Sequence, residues 1–391
     1  MLLIVGLVFV LVGLHTFTFY PLTLYLLKVI GGGANSADAP PSNGEWPDVS
    51  ILVCAYNEQH GIGAKAKNLL ELCEAYPGRA TAFVYDDCSS DDTFKILENH
   101  ADRLTLVRGE CRSGKSTGMN RLVELTDAEI VVFSDANTLV DPKATVAFVE
   151  SLRDPSVGCV CGTLQYYEDS GNTASFVSSA YWKLEELIKQ LESDTGSVIG
   201  ADGSLFAIRR ALYRPAPADI IDDFHTSLSI LCNGYLVKRC ERAKAFEKAA
   251  VSSSEEFSRK KRIACRSVNC CRQLSSELKQ LGGVDWYKLV SHKFLRWTSV
   301  GWLFLGAALI WSAIFSVCGD WGMVVAGGVL LVVVVGKWSG VRIVSQMLES
   351  LKLLCGCFLG VCQSYAGMRY QTWAPAASAR SSSSSEHPVE C

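Results

Sequence analysis

Net charge is nearly absent: 37 Lys and Arg stand against 40 Asp and Glu, leaving −3. The molecule as a whole is therefore not built to attract nucleic acid. Charge is missing altogether from residues 2–27, and residues 297–336 hold only Asp320. Runs of this length do not belong on a solvated surface, because about 20 apolar helical residues match the hydrocarbon core of a bilayer. Metal spacing is missing among the 16 cysteines: Cys159-x-Cys161, Cys270-Cys271 and Cys355-x-Cys357 offer neither C-x-x-C spacing nor nearby histidines, which argues against a zinc site. The cysteines are scattered through 391 residues, several in apolar segments. That excludes the disulfide framework of a small secreted domain and fits a reduced cytosolic domain. No internal repeat is present.

What is there begins with the apolar ends. Residues 2–27 read as one uncleaved anchor. Ala37-Asp-Ala39 offers small residues for a signal cleavage site, but a basic start is lacking and the apolar run is long. Gly319-Asp320 divides the C-terminal block into Thr298–Cys318 and Trp321–Gly336, a helical hairpin. A third apolar stretch, Leu353–Gly367, is shorter and follows Glu349 and Lys352, which leaves two readings, a membrane crossing or a helix along the surface. Between Arg259 and Arg296 ten Lys/Arg face only Glu277 and Asp285. The positive-inside rule places that segment, and the domain before it, in the cytoplasm, within reach of anionic headgroups.

The organisation expected is an N-terminal anchor over 1–30, a Gly/Pro/Ser linker over 31–47, a folded domain over 48–258, and a basic juxtamembrane segment over 259–296. Two or three membrane helices over 297–370 and a low-complexity, disordered tail over 371–391 complete it. In the folded domain, the apolar runs Val49–Ala55, Ala82–Tyr85, Leu104–Val107 and Ile130–Phe133 alternate with helix-like segments Gly63–Ala75, Asp92–His100 and Lys115–Leu125. Strands separated by helices predict an α/β fold with a mostly parallel, doubly wound sheet. Val146–Leu152, Ser175–Leu191 and Phe224–Cys232 read as further helices.

Such sheets bind ligands beyond the carboxyl ends of their strands. Reading each strand to its end gives Tyr56-Asn57-Glu58, then Asp86-Asp87, then Asp135-Ala136-Asn137. Ser90 and Asp91 suit the cap of the helix starting near Thr93, which leaves Asp86 and Asp87 for a ligand. Asp135 ends IVVFSD, where a carboxylate costs free energy unless paired, solvated or bound to a cation. A hard divalent ion shared with phosphate oxygens would satisfy it. Asn137 would add a neutral oxygen or simply turn the chain. Asp222-Asp223 either caps the short helix that follows or supplies a general base whose pKa is raised by like charge or an apolar wall.

Gly109–Ser116, GECRSGKS, fits the G-x-x-x-x-G-K-[ST] pattern of a phosphate-wrapping loop. LTLV precedes it, STGMNRLVEL follows as a helix, and IVVFSD resembles an NTPase acidic strand. A membrane-anchored P-loop NTPase is therefore one alternative, and a non-catalytic nucleotide-sugar-binding protein another. Against the loop stand its crowding with Arg112 and the acidic strand following too soon.

Together these motifs resemble the membrane-bound family 2 glycosyltransferases, the hyaluronan- and cellulose-synthase-like group with an inverting, nucleotide-sugar-dependent GT-A domain. The likeness runs from about Val49 to Arg266 and weakens through the C-terminal segments. VSILVCAYNE resembles the family's opening strand and nucleotide-contacting turn, which implies donor contacts at Ala55, Tyr56, Asn57 and Glu58. VYDDCSSDDT resembles the base-binding segment and would set Asp87 against the nucleobase with Asp86 beside it. RSGKSTGMN resembles the GK-x-x-x-x-N element, with Lys115 and Asn120 on the nucleotide side, and makes the phosphate-loop pattern coincidental.

SDANT, from Ser134 through Asp135 and Ala136 to Asn137, stands at the D-x-D metal motif, so Asp135 would be the main protein ligand for Mg2+ or Mn2+ with Asn137 in the second position. GADGSLFAIRR would place Ala201, Asp202 and Gly203 near the sugar, and IIDDFHTSL resembles an acidic pair whose second member, Asp223, is the base, with Asp222 beside it. EEFSRKKRIACR falls where processive members carry Q-x-x-R-W. Arg259 takes the glutamine position and Arg262 keeps the arginine toward the diphosphate, while Ile263 replaces the tryptophan, which does not support long-chain processive synthesis. The resemblance implies a nucleotide diphosphate sugar as donor, a UDP-sugar first among them, and a lipid-linked or polysaccharide acceptor. It also implies an integral membrane protein with a cytosolic catalytic domain and no nucleic-acid partner.

Overall fold

The structure is a computed structural model that describes residues 1–31, 45–167, 173–248, 253–339 and 341–372. The expected tail lies outside the described residues from 373 onward, as does most of the linker. The chain divides into two compact units. One comprises Met1–Asn35, Ser170–Ile199 and Ser253–Arg369, and the other Ser36–Asp169, Gly200–Ser252 and Tyr370–Cys391.

Helices α1 (Leu2–Leu14) and α2 (Phe19–Ile30) precede the first strand. Then come β1 (Val49–Ala55), α3 (Ile62–Ala75), β2 (Ala80–Asp86), α4 (Thr93–Glu98), β3 (Thr105–Arg108), α5 (Lys115–Glu124), β4 (Ile130–Asp135) and β5 (Thr138–Val140). They are followed by α6 (Ala144–Ser151), β6 (Val157–Tyr167), α7 (Thr173–Asp194), β7 (Leu205–Arg209), α8 (Asp222–Cys232) and β8 (Leu236–Lys248). Helices α9 (Ser253–Gln273), α10 (Gly283–Lys288), α11 (Leu295–Cys318), α12 (Asp320–Trp338) and α13 (Arg342–Tyr365) complete the chain.

One eight-stranded sheet, in the order β3-β2-β1-β4-β7-β6-β8-β5, organises the second unit. Strands β3, β2, β1 and β4 run parallel, as their alternation with helices predicts. Every residue of β1 (VSILVCA) is buried, the pattern of a strand covered on both faces. Beyond β4 the sheet becomes mixed: β7 lies antiparallel to both β4 and β6, β6 and β8 are parallel, and β5 is antiparallel to β8. Phe133 of β4 and Phe206 of β7 are register partners whose rings stack at 4.6 Å. The parallel half brings the ends of β1, β2 and β4 to one edge, so Tyr56, Asp87 and Ala136 all follow strands at that edge.

The other unit is helical. Residues 2–27 do not form one continuous helix: α1 and α2 meet at a 57° bend. Pro21 explains the break, since it has no N–H for the carbonyl one turn back and restricts the residue before it. Among the described residues two helices, Gly283–Cys318 and Ile343–Tyr365, are long and apolar enough to cross a membrane, and a third if the bent pair counts as one span. Gly319, at φ +54°, separates α11 from α12.

Polar groups tie this unit together internally. The Tyr20 hydroxyl donates to Glu192 (2.5 Å), and His292 lies between Glu192 (2.7 Å) and Glu185 (3.2 Å). Arg296 pairs with Glu185. Lys288 Nζ donates to the carbonyls of Glu192, Thr195 and Ser197 and so closes the end of α7.

Candidate active site

Lys115 begins α5, and its Nζ lies 2.6 Å from Asp135 Oδ1 at the end of β4 and 3.6 Å from Asp222 Oδ2 at the start of α8. Gly203 closes the same space from the loop before β7: a Cβ there would sit 2.5 Å from Asp223 Oδ2 and 3.3 Å from Lys115 Nζ. Only glycine allows the backbone this close to both groups. Four segments distant in sequence thus converge on one ammonium.

The electrostatics follow from that convergence. Burial disfavours the Lys115 ammonium, but Asp135, Asp222 and Asp223 outweigh it and hold its pKa above the ordinary lysine range. Burial pushes the Asp223 carboxyl up to about 7, helped by the charges of Asp222 and Asp202 and opposed by Lys115 and the Phe224 N–H. A carboxyl poised near neutrality is what a general base at physiological pH requires.

Lys115 faces three carboxylates here, Asp135, Asp222 and Asp223, and Asp202 adds its charge beside Asp223. Asp222 Oδ2 is buried without a hydrogen bond. That surplus of negative charge and spare oxygens fits a hard divalent cation. Among the described residues no three His, Cys, Asp or Glu side chains converge in ligand geometry. Such an ion would therefore take most of its oxygens from phosphate and water, the usual arrangement for Mg2+.

Asp87 lies at the edge of this region and is wholly buried. Its Oδ1 accepts from Ser113 N (2.8 Å), Ser113 Oγ (3.1 Å) and Gly114 N, and its Oδ2 accepts from Gly114 N at 3.0 Å. Two backbone N–H groups of GECRSGKS, those of Ser113 and Gly114, are therefore held by a carboxylate of the protein itself, which argues against a phosphate-wrapping loop. Gly114, at φ +94°, adopts a conformation available to few other residues.

Asp86 is equally buried, and burial raises its pKa. Its Oδ2 accepts from Ser89 N and lies 3.7 Å from Arg108, whose guanidinium rests over Phe94, while its Oδ1 has no hydrogen-bond partner. Asn57, in the left-handed region at φ +53°, bonds Ser89 and Ser90 and locks the β1 and β2 turns together. Glu58 N bonds Thr93 Oγ1, and Tyr56 lies 3.8 Å beneath the Arg112 guanidinium. Ala55 contributes its carbonyl to Asp87 N, and Ala201 N bonds Ser227 Oγ.

Several expected contacts are spent on the fold. Asn120 donates to Ala216 O and accepts from Tyr213 OH (2.6 Å) and Ala216 N, so its amide anchors α5 to the segment before α8 rather than lining a nucleotide. Ser134 is buried and donates to Ser204 O, and Ala136 is buried beside it. Asn137 is exposed, and its amide nitrogen donates to Glu247 Oε1 on β8 (2.9 Å), which ties the turn to that strand. Arg259 and Arg262 lie on α9, in the helical unit, where Arg259 pairs with Glu256.

Sequence reasoning missed Lys65. It is 1% exposed on α3, and Nζ donates to Ser134 Oγ (2.8 Å) and Thr138 O (2.6 Å). The missed signal is its place on the apolar stripe of Ile62, Ala66 and Leu69, where a lysine needs a reason.

Residues 50–215 match the model of the family described as glycosyl transferase family 2. That stretch is similar to the family over less than half of the 391 residues. The chain is 37% identical over 123 residues to a beta-monoglucosyldiacylglycerol synthase of Trichormus variabilis, covering 30% of this chain and 26% of that one. It is 26% identical over 203 residues to a poly-beta-1,6-N-acetyl-D-glucosamine synthase of Staphylococcus aureus, covering 50% and 48%. The alignments thus span between a quarter and a half of these curated relatives. The solved mannosyltransferase of Pyrobaculum calidifontis, in complex with GDP-Man and Mn2+, shares the fold at a TM-score of 0.71 and 21% identity, over 93% of this chain and 99% of its own. The mixed eight-stranded sheet described above accordingly has a GT-A-like fold.

Proposed function

We propose that the protein is a membrane-bound inverting glycosyltransferase that moves a sugar from a nucleotide diphosphate sugar to a lipid-linked or polysaccharide acceptor. The observation that carries this proposal is the convergence of Lys115, Asp135, Asp222, Asp223 and the Gly203 backbone at the ends of the parallel strands. Asp223 takes the proton from an acceptor hydroxyl as that oxygen attacks the anomeric carbon, and a single displacement inverts the centre. Lys115 faces the diphosphate and lends positive charge as the leaving group departs. Mg2+ or Mn2+ held at Asp135 would supply further neutralisation of that leaving group.

The nucleobase contact falls to Asp86 rather than Asp87, because Asp86 alone has an uncommitted oxygen. One free acceptor suits the single ring N–H of uracil, which favours a UDP-sugar. Relatives named for a glucolipid and a polysaccharide support these two acceptor classes. The cluster of basic residues over 259–296 favours a cytosolic catalytic domain, so the charged donor never crosses the bilayer.

The test offers the purified chain a panel of nucleotide sugars with Mg2+ or Mn2+ and follows nucleoside diphosphate release. Release from one donor, abolished by Asp223→Asn and Asp135→Ala, is expected. Release that persists at wild-type rate in Asp223→Asn would remove the base from the mechanism.

A further inference from the structure

The turn that carries Asp135 is held from beneath by a side chain that no family motif accounts for. Lys65 projects from α3 into the core, and its nitrogen bridges Ser134 Oγ and Thr138 O, the residues just before and just after the Asp135-Ala136-Asn137 turn. Asn68, one turn further along the helix, makes a reciprocal pair with β5: its Nδ2 donates to Val140 O (2.8 Å) and its Oδ1 accepts from Val140 N (2.9 Å). Ser134 passes the restraint onward by donating to Ser204 O, next to Gly203. One buried nitrogen thereby fixes both ends of the turn bearing Asp135 and links it to the loop that forms the opposite wall.

Burying a lysine is costly unless its donors are fully used, and a buried apolar residue would pack the stripe on α3 without that cost. The charged groups facing Lys65 are few: Asp135 is the one whose field reaches it. Both bonds need only N–H donors, so they persist whether or not the nitrogen is protonated.

We propose that Lys65 is a positioning residue that sets the orientation of the Asp135 carboxylate for the divalent cation and the donor diphosphate. This rests on the function proposed above. It differs from a general packing role in what it controls: the strand end that would hold the ion, while Asn68 secures the same sheet region three residues beyond.

The test uses the full chain in detergent and measures Mn2+ binding in the presence of UDP by the electron paramagnetic resonance signal of free Mn2+, alongside the thermal midpoint. Outer partners of metal ligands are worth about 10–100-fold in affinity, so Lys65→Met should weaken Mn2+ binding at least about tenfold. Asn68→Ala should lower the thermal midpoint yet leave Mn2+ binding within about twofold, since it touches only β5. Ser134→Ala, which removes one of the two acceptors and nothing apolar, should weaken binding about threefold and serves as the reading if Lys65→Met does not fold. Unchanged Mn2+ binding in Lys65→Met, or in Ser134→Ala where the first variant is unfolded, would overturn the proposal. So would equal weakening by Asn68→Ala, which would mark a general loosening. Absence of Mn2+ binding by the unmodified protein with either UDP or GDP would instead overturn the metal-dependent transfer itself.

Discussion

Lys115→Met should move the pH dependence of transfer toward alkali. The Asp223 carboxyl, raised to about 7, must be ionised to act as base, and Lys115 is the cation that opposes the rise. The position a Cβ would take on Gly203 lies 2.5 Å from Asp223 Oδ2 and 3.3 Å from Lys115 Nζ, so the two charges are no more than about 6 Å apart. With an effective dielectric of about 20 to 40, that cation favours the carboxylate by about 1.4 to 2.8 kcal/mol. Methionine fills similar space without charge, so the midpoint should climb by about one to two pH units. The sign is fixed: removing a positive neighbour makes the carboxylate harder to form, and the base is lost over a wider acid range. The assay is kcat/KM for nucleoside diphosphate release from pH 5.5 to 9, whose acid limb reports the free enzyme's base. The wild type should fall tenfold per pH unit below about 7. A midpoint that stays put or moves to lower pH in Lys115→Met would refute the electrostatic coupling, whatever the loss in rate.

Three further outcomes are expected. Asp223→Asn should lower kcat by about 10²–10⁴ with an unchanged thermal midpoint, because only the proton acceptor is removed. Gly203→Ala should cut kcat at least about tenfold with little effect on donor KM, since its methyl displaces the base and not the nucleotide. Asp87→Ala should destabilise the catalytic unit by about 2–4 kcal/mol in denaturant unfolding, because the buried N–H groups at Ser113 and Gly114 lose their acceptor; a neutral result would mean water replaces the carboxylate.

The parallel half of the sheet was legible because β1, β2 and β4 are continuous apolar runs that end in polar residues, and each lies within a residue or two of its expected place. The mixed half was not. Strand β8 carries charged residues through its length, such as Arg239, Glu241 and Lys244, β6 is punctuated by Gly158 and Gly162, and their pairing depends on partners far away in sequence. The break in the N-terminal helix was visible only as Pro21, which an unbroken apolar run concealed.

At the site, the acids and Lys115 could be named from strand ends and motif order. Which oxygens remain uncommitted could not. Asp86 and Asp87 are adjacent and chemically identical, and only the fold of the Ser113–Gly114 turn around Asp87 separates a fully bonded carboxylate from one with a single uncommitted oxygen. Asn120, named from the GK-x-x-x-x-N element, and Asn137, named from the D-x-D position, bond to Tyr213, Ala216 and Glu247, which are remote in sequence.

The most direct test of the shared donor pocket is anomalous diffraction from crystals of the full chain grown with Mn2+ and UDP. A manganese peak within bonding distance of Asp135, with the diphosphate between it and Lys115 and Asp223 on the opposite wall, is the result expected. A manganese site at other residues, with Lys115 still paired to Asp135 and no diphosphate beside it, would contradict the account.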